Sequence, residues 1–217
     1  MSPRTKCACS HSEGPPHRWA GEVQNGEVRA ALNISINLPL VKIACESAQF
    51  TAPARSLRDW MRSSTAKSLV KARRPCLVYD VTQSLICLMS TFEGAAREAL
   101  TPMQRHFLVP VYPNIGPEKS PQPHVHSSPD WKSCPQQWIL LVLIKPLGED
   151  CQQLHSWGSE DKAWHFDEKA MSSLESIYKK KCLEWDKKCR SDHKARSIIG
   201  LQIDRNITLS PENGSGC

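Results

Sequence analysis

No run of apolar residues in this chain is longer than seven, at positions 138–144. A helix that crosses a bilayer needs about 20, so the sequence predicts no transmembrane segment. The first thirty residues also lack the apolar stretch of a secretory signal. The expected setting is therefore intracellular, cytoplasmic or nuclear, with the ten cysteines as reduced thiols. Three N-x-S/T sequons begin at Asn33, Asn206 and Asn213. Their use would require the secretory lumen, so they read as chance matches.

Catalytic signatures are missing as well. The chain contains no G-x-S-x-G, H-E-x-x-H, G-x-x-x-x-G-K-[ST], G-x-G-x-x-G or C-x-x-C. Those spacings place a nucleophile on a strained elbow, two imidazoles on one helix face, or glycine backbone against a phosphate. Without them the sequence predicts no enzyme and no cofactor.

Core-forming residues are also sparse. Leu, Ile, Val and Phe number 45 of 217, close to the roughly 20% below which strongly charged chains stay unfolded. Three Tyr and four Phe stand against seven Trp, and sixteen Pro add turn and linker character. The expected fold class is α+β, irregular and loosely packed. One amphipathic helix near 160–190, a few short strands and long disordered segments make it up.

What is present falls into segments. Residues 1–30 hold Gly14-Pro15-Pro16 and no periodicity, and read as a disordered arm. Leu32, Ile34, Ile36, Leu38 and Leu40 alternate with polar residues, the period of a half-buried strand over 32–43. Pro39 restricts it to an edge or ends it. Residues 55–73 read as a short basic helix stopped before Pro75, within a small α/β segment at 31–109. Residues 76–82 read as a strand, 85–89 as an apolar run of ambiguous type, and 92–100 as helix-forming. Thr101-Pro102 is a cap followed by a first-turn proline. Seven prolines between 110 and 135 predict an extended linker at 110–136. A strand–helix–strand segment at 137–209 follows, with strands near 138–144 and 198–209, and then a polar tail at 210–217.

The helix near 160–190 carries the clearest pattern. Trp164, Met171, Leu174, Tyr178, Cys182, Trp185 and Cys189 share one face, interrupted by Asp167. Acidic residues cluster at its start and lysines at its end, which complements the helix dipole.

Three groups are candidates for binding chemistry. Arg55, Arg58, Arg62, Lys67, Lys71, Arg73 and Arg74 against Asp59 hold the whole net charge of +6. Such a block could take phosphates, an anionic membrane surface or an acidic partner, with weak, salt-sensitive nucleic-acid binding at most. Trp164, Tyr178 and Trp185 form a candidate aromatic interaction face. Cys7, Cys9, His11 and His17 lie close enough to wrap a zinc ion, although C-x-C-x-H-x5-H departs from finger spacing. Cys182, Cys189 and His193 span too much of one helix to share an ion, and His124 and His126 are expected to be solvated. The linker offers a P-x-x-P at 110–113 and Ser-Pro pairs at Ser120 and Ser128 as docking or phosphorylation points.

The sequence therefore predicts a small basic interaction protein without catalytic activity. Two alternatives remain: a reading-frame product with no evolved biochemical role, and a weak zinc-binding module built on the N-terminal Cys/His group.

Overall fold

The computed structural model describes residues 21–40, 43, 70–114, 123–131, 136–146, 150–158 and 163–191. Its centre is a six-stranded antiparallel sheet. The strands are β1 (Val28–Ser35), β2 (Val70–Asp80), β3 (Leu85–Ser90), β4 (Leu108–Pro110), β5 (Trp138–Leu140) and β6 (His155–Ser156). Their order is β4-β5-β3-β2-β1-β6. Helix α1 (Pro102–Phe107) leads into β4, and helix α2 (Glu168–Ser191) packs against the sheet. The class is α+β as the sequence implied, but strands are more prominent than the few short ones expected.

Alternation divides the strand side chains between two faces. Val28, Leu77, Cys87, Met89 and Ile139 meet Ala170 and Leu174 of α2 on one face. Cys76, Val78, Ile86, Leu88 and Ile144 meet Cys151 and Leu154 on the other. A third cluster joins Phe107, Leu108, Trp138 and Leu140 to Leu100, Met103 and Trp185. The apolar residues are few, yet these clusters bury many of them completely.

Several sequence expectations shift in detail. The strand expected over 32–43 starts at Val28 and ends at Ser35, and residues 38–40 are helical. Residues 21–30, expected to be part of a disordered arm, are ordered, with Val23, Glu27 and Val28 buried. The basic helix expected to reach 73 does not: from Val70 onward the chain is strand β2, and the rest of that segment lies outside the described residues. Pro75 sits inside β2 rather than stopping a helix. The Val78 amide donates to Glu27 O at 2.9 Å toward β1. By alternation the Pro75 nitrogen faces β3, where pairing already ends at Cys76↔Leu88. The proline therefore removes no bond from the β1–β2 ladder, and the β2–β3 ladder ends beside it.

The residues after 91 form two 3-10 turns (Phe92–Gly94 and Arg97–Ala99) instead of one helix. Thr101 caps α1 as expected: its hydroxyl accepts from Gln104 N at 3.2 Å, and Gln104 Oε1 accepts from Thr101 N at 2.9 Å. This is a complete capping box. The strand expected over 138–144 covers only Trp138–Leu140, with Ile144 in an isolated bridge to Ile86. The strand expected near 198–209 lies outside the described residues.

The described part of the proline-rich stretch is packed rather than extended as a spacer. Pro110 ends β4, Val111 bridges Val125, Ser128 bridges His165, and Val111, Val125 and Trp131 are buried. The P-x-x-P at 110–113 begins in that strand, and the Tyr112-Pro113 and Ser128-Pro129 peptides are cis. Strands from both sides of the stretch share one sheet.

Helix α2 begins eight residues later than the periodicity implied. The preceding residues are committed to backbone pairing, with Val28 N donating to Trp164 O at 2.9 Å and Phe166 N to Gly26 O at 2.8 Å. Asp167, which interrupts the apolar stripe, supplies the cap: its carboxylate accepts from Ala170 N at 2.7 Å. A carboxylate at that position satisfies an otherwise unpaired amide and the positive end of the helix dipole. Gly26 has φ +88°, and a Cβ there would lie 2.3 Å from Phe166 O, so only glycine lets the two segments approach.

Leu174 is fully buried beneath the sheet, whereas Leu183 on the same helix is 71% exposed. Leu174→Ala is expected to destabilise the fold by about 2–5 kcal/mol, and Leu183→Ala by no more than about 0.5 kcal/mol. Urea denaturation of both variants checks the packing of α2; equal midpoints would refute it.

Candidate functional site

The β2–β3 turn, the 165–166 segment and the first two turns of α2 enclose an open cleft of about 750 Å³. Tyr79 and Asp80 come from the end of β2, Thr82 and Gln83 from the turn, and Leu85 from β3. His165 and Phe166 form the rim before α2, and Glu168, Met171, Ser172 and Glu175 line its helical wall. The spacing 168, 171, 172, 175 is one face of a helix, so α2 presents two carboxylates, a thioether and a hydroxyl together. Asn25 closes the cleft and holds the turn, its Oδ1 accepting from Val81 N at 2.8 Å.

Three carboxylates line this space, and no lysine or arginine does so among the described residues. Asp80 accepts from Thr82 Oγ1 at 2.6 Å, Gln83 N at 3.1 Å and Gln83 Nε2 at 3.0 Å. The hydrogen bond from Thr82, then that from the Gln83 backbone, holds its carboxyl below the ordinary value. It is ionised at neutral pH. Burial, with Cys87 next in effect, pushes the Tyr79 phenol up to about 12, so Tyr79 remains a donor. Its ring lies 6.3 Å from that of Tyr178. Glu175 is shared with Lys179, 2.6 Å away on the next turn of α2. The cleft thus combines negative charge, a phenol and apolar walls, a set suited to a cation with an alkyl stem.

The candidates from sequence lie elsewhere. Arg55, Arg58, Arg62 and Lys67 lie outside the described residues, as do Cys7, Cys9, His11 and His17. The described basic residues of the 55–74 block are divided by strand alternation. Lys71 is exposed, 3.7 Å from Glu93, and Arg73 donates to Ser156 O at 2.8 Å. Arg74 is on the opposite face and only 4% exposed. Burial lowers its guanidinium to about 10, offset in part by Glu93, and its Nε has no hydrogen-bond partner among the described residues. A strand cannot present these three side chains as one basic surface.

The aromatic candidates serve the core. Trp185 is 3% exposed and lies 5.6 Å from the Phe107 ring and 5.4 Å from that of His106. Trp164 is half-buried, 4.9 Å from the Trp131 ring, and Tyr178 is half-buried against the main cluster. Cys182 is half-buried and hydrogen-bonds Tyr178. Among the described residues no three His, Cys, Asp or Glu side chains gather as a metal site, and no helix is long and apolar enough to cross a membrane.

Sequence reasoning missed the cleft because its residues come from four separated segments. It also missed Glu27 and Arg29, both buried, whose side chains form an ion pair with Nη2 at 2.5 Å and Nε at 2.8 Å from the same carboxylate oxygen. The spacing i, i+2 on an extended strand puts them on one face, and that was the available signal. At the α1–α2 contact, His106 Nε2 lies 2.8 Å from Lys181 O, and Lys181 Nζ donates to His106 O. Burial, then Arg97, lowers the Lys181 ammonium to about 8, and burial lowers His106.

These groups set the alkaline limit of the fold. Burial raises the Cys76 and Cys87 thiols and the Tyr178 phenol well above their ordinary values, and takes Cys151 to about 11. Each keeps its proton in the folded state after the unfolded chain has lost it. Their stabilisation is complete below the ordinary thiol value of 9.0 and declines as pH rises above it. Lys181 acts in the opposite sense between about 8 and its ordinary 10.5, because there the unfolded chain holds the extra proton. Arg74, lowered to about 10 by burial, joins Lys181 above that pH, but the three thiols with Tyr79 and Tyr178 outnumber the two cations, so urea midpoints are expected to fall above pH 9. Lys181→Met should steepen the fall. A midpoint that rises from pH 9 to 10 would contradict the burial of the thiols.

Comparison of the chain with protein-family models, with curated proteins and with solved structures finds no match in any of the three.

Proposed function

We propose that this chain is a non-catalytic interaction protein that receives a lysine- or arginine-bearing segment of a partner protein in the cleft at the start of α2. The observation that carries the reading is the grouping of Asp80, Glu168 and Glu175 around about 750 Å³ of open space in a chain of net charge +6. A local field opposite in sign to the whole molecule favours a cationic group at that place. Tyr79, Leu85, Leu143 and Met171 give the alkyl part of such a side chain an apolar wall. The volume of about 750 Å³ has room for one long side chain, as a partner peptide would present it.

Binding to nucleic acid or to an anionic surface draws less support. Of the seven residues expected to carry it, three lie among the described residues: Arg74 is buried, Lys71 neighbours Glu93, and Arg73 is engaged with Ser156.

Fluorescence anisotropy with labelled peptides that carry several lysines or arginines tests the proposal. Affinity is expected to fall as salt screens the charges. Glu168→Gln and Asp80→Asn should each weaken binding by about two- to fivefold, the range for partly exposed charge pairs. A neutral peptide of the same length should not bind. Equal affinity for the wild type and the double variant would sink the reading.

A further inference from the structure

We propose that His124 and His126 form a binding site for a zinc-class divalent metal ion on the proline-rich stretch. The two residues flank Val125, which is 2% exposed. The backbone around Val125 is fixed on both sides: Tyr112 N donates to Val125 O at 2.8 Å, and Val125 N donates to Pro110 O at 3.1 Å. Successive side chains of an extended segment point to opposite faces. With Val125 committed to the core, His124 and His126 emerge together on the outer side, both half-buried.

The ring spacing is compatible with one shared ion. The imidazole centroids are 5.1 Å apart with the planes tilted by 49°. Two imidazoles on one tetrahedral zinc, each with nitrogen about 2.0–2.1 Å from the metal, have ring centres about 5 Å apart. The Tyr112 ring stacks on His126 at 4.5 Å with the planes 15° apart, and lies 6.5 Å from His124. That stack restricts the orientation of the His126 ring. The backbone bonds restrict the separation of the two residues, so the entropy lost on binding is reduced in advance. Neutral imidazole is a ligand suited to zinc, copper and nickel.

Among the described residues no third His, Cys, Asp or Glu joins them. The protein therefore supplies two ligands and water completes the shell, which makes this a surface site rather than one on which folding depends. This site is separate from the cleft, and its test does not involve the cleft residues.

The experiment uses the full chain, kept reduced and titrated with Zn²⁺ alone, with the histidine ring resonances followed by NMR. One equivalent is expected to shift the His124 and His126 signals together. The response should persist in a Cys7→Ser, Cys9→Ser variant and disappear in His124→Gln or His126→Gln whose zinc-free spectrum is otherwise unchanged. Zinc that moves other histidine rings while these two stay in place would overturn the proposal. So would a His126→Gln variant in which the His124 ring responds as in the wild type.

Discussion

Backbone pairing between residues 26–28 and 164–166 ties the first strand to the approach of the long helix. Val28 N reaches Trp164 O, Phe166 N reaches Gly26 O, and Glu27 bridges His165. Because the two segments are more than 130 residues apart in sequence, this pairing closes the fold. It places Asp167 where it can cap α2, sets Leu174 over the sheet, and brings Glu168 and Glu175 to face the β2–β3 turn. The pairing in turn depends on Gly26, since any side chain there would meet the Phe166 carbonyl.

The same constraint explains how a chain with few large apolar residues builds a core. The sheet uses both faces, so nearly every apolar strand residue is buried against something. The stretch between β4 and β5 contributes to this. Val125 and Trp131 enter the main cluster, and the Ser128–His165 bridge adds backbone bonds of 2.7 and 2.9 Å. Prolines there limit the conformations of the unfolded chain, which lessens the entropy lost when the segment is laid down.

Charge is distributed in a way that net counts conceal. The sequence concentrates positive charge at 55–74, but the described strand sends Lys71 and Arg73 to one side and Arg74 to the other. Acidic residues that look scattered in sequence converge at the cleft. Asp80 is held ionised by its own turn, through Thr82 and Gln83. Glu168 and Glu175 are two helical turns apart on one face of α2. The buried Glu27–Arg29 pair shows the same principle inside the protein, since two ions leave water together only when each satisfies the other.

By itself the sequence determined features whose physics is local. The period-two run at 32–43 overlaps the end of β1, the strand read at 76–82 overlaps the end of β2, and Thr101-Pro102 marked the cap of α1. The apolar stripe and charge order marked α2, because side-chain period and capping act within a few residues. Tertiary structure alone decided what depends on residues far apart. Residues 163–166 pair with β1 instead of extending the helix, since a backbone donor takes a strand partner when one is held within reach. Pro75 sits in a strand because its nitrogen faces away from β1, so the β1–β2 ladder does not need it. Trp185 lies in the core because α1 packs over it, and His124 and His126 sit side by side because Val125 is anchored between them. The cleft belongs to this second group: its three carboxylates become one site only when the sheet and α2 are assembled.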